Sequence, residues 1–259
     1  MGKSTLTASV MDDPRWTPCH YYDYDESRPS IAKYFGDGGP GVHIEVQPGD
    51  WSDLMRHMDE TERAAAAGEC NAMVWDGFSA YYRDDLGLEA AANPDKVQAG
   101  GNVAMKLRVA PSQRLGAMLA KMRRIKAVAK SPDFIAIVTA HSKEIGDMNS
   151  RSLVPDMSAN AWQQLFRLAP VVMRLDRFSG QPPSLIFEDI KSEFHRIKDP
   201  NALAYIRAIQ HDAAKMAKMR TIPGLVGLLE HGERKAAAKF AADHAPRPPA
   251  AEPAPTTST

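Results

Sequence analysis

Cysteine is nearly absent: Cys19 and Cys70 are the only two in 259 residues. Two isolated thiols exclude a disulfide framework and a cysteine-based zinc site, and they fit a reducing, cytoplasmic setting. Net charge is absent too, because 32 Lys and Arg balance 32 Asp and Glu. Any affinity for nucleic acid must therefore come from a local cluster. No apolar run approaches the roughly 20 residues that span a bilayer, so no membrane contact is expected. The first residues lack the apolar stretch of a secretory signal, and no internal repeat is visible. No aromatic residue lies between Tyr82 and Phe134, which removes base stacking as a binding mode for that region. What remains is ordinary for a globular chain, 44% hydrophobic and 25% charged, with length for one large domain or two small ones.

Short apolar runs alternate with helical periodicity. Leu6 and Val10 stand four apart in "KSTLTASVMDD", as on a short amphipathic helix stopped by Pro14. "PCHYYDYDES", "GVHIEV", "NAMVW" and "DFIAIVTAH" read as strands. "WSDLMRHMDETERAAAA" reads as a helix with Trp51, Leu54, Met55 and Met58 on one face, capped by Asp50 or Ser52. Residues 77–87 turn into a helix, 88–112 read as a mobile loop, and "SQRLGAMLAKMRRIKAVAK" is a helix. Further on come a helix in "SANAWQQLFRL", strands in "APVVMRLD" and "SLIFEDI", and an Ala- and Met-rich helix over 200–219. The Met-rich stretch from Ala213 reads as packing or subunit-contact surface, and Trp16, Trp51, Trp75 and Trp162 as core. The expected organisation is a core over residues 1–199, a helical segment over 200–243, and a disordered Pro, Ala and Thr tail over 244–259. Strands alternating with helices imply an α/β fold with a mainly parallel sheet flanked by helices.

In such a sheet ligands bind at the C-terminal strand ends. The chain places chemistry-bearing residues there. Gly2, Lys3, Ser4 and Thr5 open the first helix as the tail of a phosphate-binding loop. Asp23, Asp25 and Glu26 follow the first strand, Asp76 follows "NAMVW", and His141 follows "FIAIVTA". Lys reaches phosphates, Ser holds Mg²⁺, a strand-end Asp stands behind the metal, and a neighbouring acid orients water. Singly, each has an ordinary reading as strand terminator, buried histidine or helix cap.

These residues resemble the RecA-like P-loop ATPases that phages encode for single-strand DNA annealing and recombination. The likeness runs from Gly2 to about Asp199 and is carried by "MGKSTL", "YYDYDES", "NAMVWDGFSAYYRD", "IAIVTAHSKEI" and "VPDMSANAWQQLFRLAPVVMRLDR". It implies an AAA-type, RecA-like P-loop NTPase fold that binds and hydrolyses ATP with Mg²⁺. Gly2, Lys3, Ser4 and Thr5 would hold the nucleotide, and Ser4 and Asp76 the metal. Asp76 would be the Walker B acid and His141 a sensor. The catalytic acid would be Asp25, favoured by its spacing from Asp23, or Glu26, favoured by acid type. Arg196 and Lys198 have the spacing of a finger reaching into a neighbour's site, which implies a homo-oligomeric ring or filament. The partners implied are single-stranded DNA and a single-strand-binding protein, in the cytoplasm of an infected bacterium. Two departures stand out. Asp76-Gly77 replaces the family's Asp-Ser, and the strand and first glycine of the loop do not precede Gly2. Either the true start lies upstream or this is a shortened relative.

Residues 102–132 hold eight basic residues and no acid. Among them Lys106, Arg108, Arg114, Arg123 and Arg124 are the expected DNA contacts, made to phosphates. The alternative to an ATPase is a non-catalytic nucleic-acid-binding or scaffold protein with a degenerate nucleotide site. A small-molecule kinase is disfavoured because no arginine-bearing lid is apparent.

Overall fold

A computed structural model describes residues 2–25, 28–47, 49–97, 105–145, 152–157, 163–165, 171–172, 174–176, 184–186, 196–197, 204–205, 208–209 and 212–243. Four parallel strands form the main sheet: β1 (Cys19–Asp23), β2 (Gly41–Glu45), β3 (Ala72–Asp76) and β4 (Ile135–Val138). Their spatial order is β2-β1-β3-β4. The fold is thus α/β with an all-parallel sheet, as the alternation of runs implied.

Both faces are covered, which is why β1 and β3 are buried at every position. Side chains alternate across a strand, so Tyr21 and Val74 enter one core while Tyr22, Met73 and Trp75 enter the other. The first core is roofed by α1 (Lys3–Ala8) and the 3₁₀ turn Ser9–Asp12, through Leu6, Val10 and Met11. The second is roofed by α3 (Trp51–Ala67), α4 (Phe78–Ala92) and α5 (Val109–Val128). A short α2 (Arg28–Ile31) links β1 to β2.

Local chemistry sets these helices. Asp50 caps α3 by accepting from the Asp53 amide at 3.0 Å, and Gly68 ends it in the left-handed region at φ 84°. Residues 88–112 are not one loop. The Ala-rich stretch carries α4 on to Ala92, and α5 begins at Val109. Pro111 is tolerated because first-turn amides have no partner within the helix. Residues 98–104 lie outside the described part.

Beyond β4 an antiparallel hairpin pairs β5 (Ser142–Ile145) with β6 (Ser152–Pro155). Two further pairs are β7 (Val171–Val172) with β10 (Arg196–Ile197), and β8 (Arg174–Asp176) with β9 (Ser184–Ile186). Of the helix expected in "SANAWQQLFRL", only residues 163–165 are described, as helix, and Trp162 lies outside. Helix α6 (Ala213–Lys218) leads to α7 (Ile222–Asp243). Met219, Ile222, Leu225 and Leu228 join the first core against Leu6, Val10 and Trp16. The Met-rich stretch is therefore packing surface, shared with the N-terminal helix. Trp16 and Trp75 are buried and Trp51 packs at the margin of the second core. The tail expected over 244–259 lies outside the described residues. Among the described residues no helix is long and apolar enough to cross a membrane.

Candidate active site at the strand ends

The parallel register puts the ends of β1 and β3 side by side, with Asp23 opposite Asp76. The chain passes from β1 to β2 on one side, then returns to β3 on the other. The order reverses at β1/β3, and in open α/β sheets ligands bind outside the C-terminal strand ends at such a point. Four of the residues expected from sequence meet at this place.

Lys3 Nζ stands 3.1 Å from His141 Nδ1, although 138 positions separate them. His141 Nε2 stands 2.8 Å from Asp25 Oδ2. The histidine is clamped by its backbone as well. Its amide donates to Ser79 Oγ at 2.7 Å, and its carbonyl accepts from the Asp156 amide at 2.8 Å where β6 ends. Its side chain is 43% exposed. The line Lys3–His141–Asp25 thus joins α1, the segment after β4 and the segment after β1, with the His141 side chain partly open to solvent.

Asp76 lies deeper, with no exposed surface. Tyr21 donates to its Oδ2 at 2.9 Å and Thr139 donates to its Oδ1 at 2.5 Å. Thr139 Oγ1 in turn accepts from the Gly77 amide at 2.9 Å. The Tyr21 oxygen also lies 3.5 Å from Ser4 O and 3.3 Å from Thr7 Oγ1, which ties the start of α1 to the Asp76 cluster. Burial, then the charge of Asp76, push the Tyr21 phenol far above its ordinary range, so it remains a donor. Asp23 is buried and meets His43 Nε2 at 3.1 Å. Neither Tyr21 nor Thr139 was singled out from sequence as a site residue. Tyr21 faces the same side of β1 as Asp23, two positions on, and Thr139 immediately follows β4. Those two positions were the available signals.

The geometry gives a reason for glycine after Asp76. It takes φ +85°, and a Cβ there would meet Asp25 Oδ1 at 2.6 Å. Only glycine fits without moving Asp25. The serine two positions on, Ser79, supplies a hydroxyl that holds the His141 backbone.

The remaining expected residues fall as follows. Gly2 is the exposed N-cap of α1, and Ser4 and Thr5 lie half-buried in its first turn. Glu26 and Lys198 lie outside the described residues, as does the side chain of Lys106. Arg196 pairs through β10 with Val172; its side chain is outside the described part. The basic field of α5 is partly cancelled. Arg114 bonds Asp85 at 2.9 Å and Glu89 at 2.7 Å, both from α4. Lys121 bonds Asp59 and Glu62, and Arg124 bonds Glu62 at 2.5 Å, all from α3. Arg108, Arg123, Lys126 and Lys130 are exposed.

Among the described residues no three His, Cys, Asp or Glu side chains form a metal cage. Mg²⁺ does not require one, since it usually binds through one or two carboxylates, waters and substrate phosphates. Asp76 offers a strand-end carboxylate near the first turn of α1, with both oxygens already accepting from Tyr21 and Thr139. No model of a known protein family matches the chain, and no curated protein matches it.

Proposed function

We propose that this chain is a nucleotide-binding protein of the RecA-like P-loop kind, using ATP and Mg²⁺ to act on single-stranded DNA in phage recombination or annealing. The observation that supports it is the convergence of Lys3 with Asp25, Asp76 and His141 at one end of a parallel sheet. Lys3 would take the β- and γ-phosphates. Ser4 and Asp76 would hold the metal, which neutralises charge on the transferring phosphoryl group when bound. Asp25 is the described candidate for the acid that orients water. Partners in this reading are further copies of the chain and a single-strand-binding protein.

The test is binding of a slowly hydrolysed ATP analogue with Mg²⁺, by calorimetry, in the parent and in Lys3→Ala. Loss of binding in the variant is expected. A parent that binds no nucleotide, or a variant that binds equally, overturns the reading.

One observation favours a second reading, a nucleic-acid-binding or scaffold protein without turnover. Both oxygens of Asp76 are engaged by neutral hydroxyls in a fully buried place. Nucleotide binding without measurable hydrolysis would select it.

A further inference from the structure

The two ring nitrogens of His141 face partners of opposite kind. An ammonium has donors and no lone pair, so Lys3 Nζ must donate and Nδ1 must accept across their 3.1 Å. A carboxylate at 2.8 Å from Nε2 is an acceptor, so Nε2 carries the hydrogen. With Lys3 and Asp25 ionised, these contacts match a ring that carries its hydrogen on Nε2 and turns its remaining lone pair to Lys3.

We propose that an oxyanion captured by Lys3 is held by two cationic side chains of the protein rather than one, because binding draws a proton onto His141. This rests on the phosphate-binding reading of Lys3. When an oxyanion takes the ammonium, the Nδ1 lone pair loses its donor and faces negative charge, which is repulsive. A proton taken from solvent at Nδ1 converts that repulsion into a charge-assisted hydrogen bond. The imidazolium then has the oxyanion on one nitrogen and Asp25 on the other, and both favour the charged ring. Only the Lys3–Nδ1 hydrogen bond is broken; the new N–H proton comes from water or buffer. The ring's 43% exposed side chain gives solvent access.

The charges around the ring support this need. Lys3 approaches from α1 and Asp25 from the end of β1. From α4, Ser79 brings a neutral hydroxyl to the backbone of His141. From the end of β6, Asp156 binds the His141 carbonyl through its amide, with its carboxylate 3.4 Å from Arg83. Deeper stand Asp23, with His43, and Asp76, with Tyr21 and Thr139. One lysine facing these carboxylates is a poor host for a multiply charged phosphate. A second positive charge that forms only with the ligand improves the host without destabilising the free protein.

The experiment is calorimetry of MgATP binding near neutral pH, in buffers of different ionisation enthalpy, for the parent and His141→Gln. The nucleotide's own titration is common to both proteins and cancels in the difference. The parent should take up a fraction of a proton more than the variant, up to about one. Binding with equal uptake in both overturns this inference and leaves the phosphate reading standing. No binding by the parent overturns both. A ligand-free measurement stands beside it. Nitrogen-15 NMR of the free parent should show His141 protonated at Nε2 alone, and Lys3→Met should raise its protonated fraction at the same pH. A ring protonated at Nδ1 in the free parent overturns the inference.

Discussion

Replacing Gly77 by alanine should damage the site and the fold together, by an amount the geometry sets. A residue with a Cβ at φ +85° occupies the left-handed region, which costs roughly 1–2 kcal/mol. The new methyl would also stand 2.6 Å from Asp25 Oδ1 and 3.1 Å from the Asp25 amide nitrogen. Crowding of that kind typically adds roughly 1–3 kcal/mol. Gly68 supplies the internal standard. Its φ is +84°, yet a Cβ there meets only the flexible Lys130 side chain, at 3.1 Å. Gly68→Ala should therefore cost about 1–2 kcal/mol, and Gly77→Ala roughly 1–3 kcal/mol more. Urea denaturation followed by circular dichroism reads both values. A double-mutant cycle with Asp25→Ala should recover most of the excess, since the coupling belongs to that contact. If Gly77→Ala costs no more than Gly68→Ala, the close approach of Asp25 is wrong, and so is the explanation for glycine after Asp76.

Tyr21→Phe removes a donor from a fully buried carboxylate and should cost about 1–3 kcal/mol in the same assay, with Asp76 the group left short. Burial holds the His20 imidazole below its ordinary 6.5, so above that pH both states are neutral and stability is flat. Below it the unfolded chain binds a proton that the folded one refuses. Stability should fall by up to about 1.4 kcal/mol per pH unit, and His20→Gln should flatten the slope. Leu225→Ala should cost about 2–5 kcal/mol and unfold the N-terminal helix with the C-terminal one, because α7 shares the core of α1. Arg123→Glu should weaken single-stranded DNA binding and flatten its log–log salt dependence by about 0.7 per lost phosphate contact. Arg114→Glu should act mainly by breaking the clasp to Asp85 and Glu89, lowering thermal stability.

The four strands of the main sheet were legible because each is a short apolar run bounded by turn residues. That the residues at their ends lie together was legible for a geometric reason: in a parallel sheet all C-terminal ends lie on one side. That alone brings Asp25, Asp76 and His141 together from three distant segments. The partners of Asp76 were not legible, since a tyrosine inside an aromatic strand and a threonine after an apolar run read as ordinary sheet residues. The extent of α4 was masked by Gly87 and by Asn93-Pro94, which resemble a loop's beginning. The basic segment read as an open field because the acids that answer it, Asp59, Glu62, Asp85 and Glu89, come from helices remote in sequence. Charge patterning along one segment cannot register a neighbour that only the fold supplies.

The joining of the two ends of the chain has a consequence for how the protein is made. The amide of Ile222 donates to Ser9 Oγ at 2.8 Å, and Leu225 and Leu228 close over Leu6 and Val10. On a translating ribosome the helix that carries Lys3 emerges long before its cover, and its seat is completed only when the segment around residue 228 has left the exit tunnel. Until then Leu6 and Val10 have no lasting cover on that side. The cluster around Lys3 therefore matures only after α7 has been made, and a nascent chain stalled before α7 should hold a formed sheet with an unanchored Lys3.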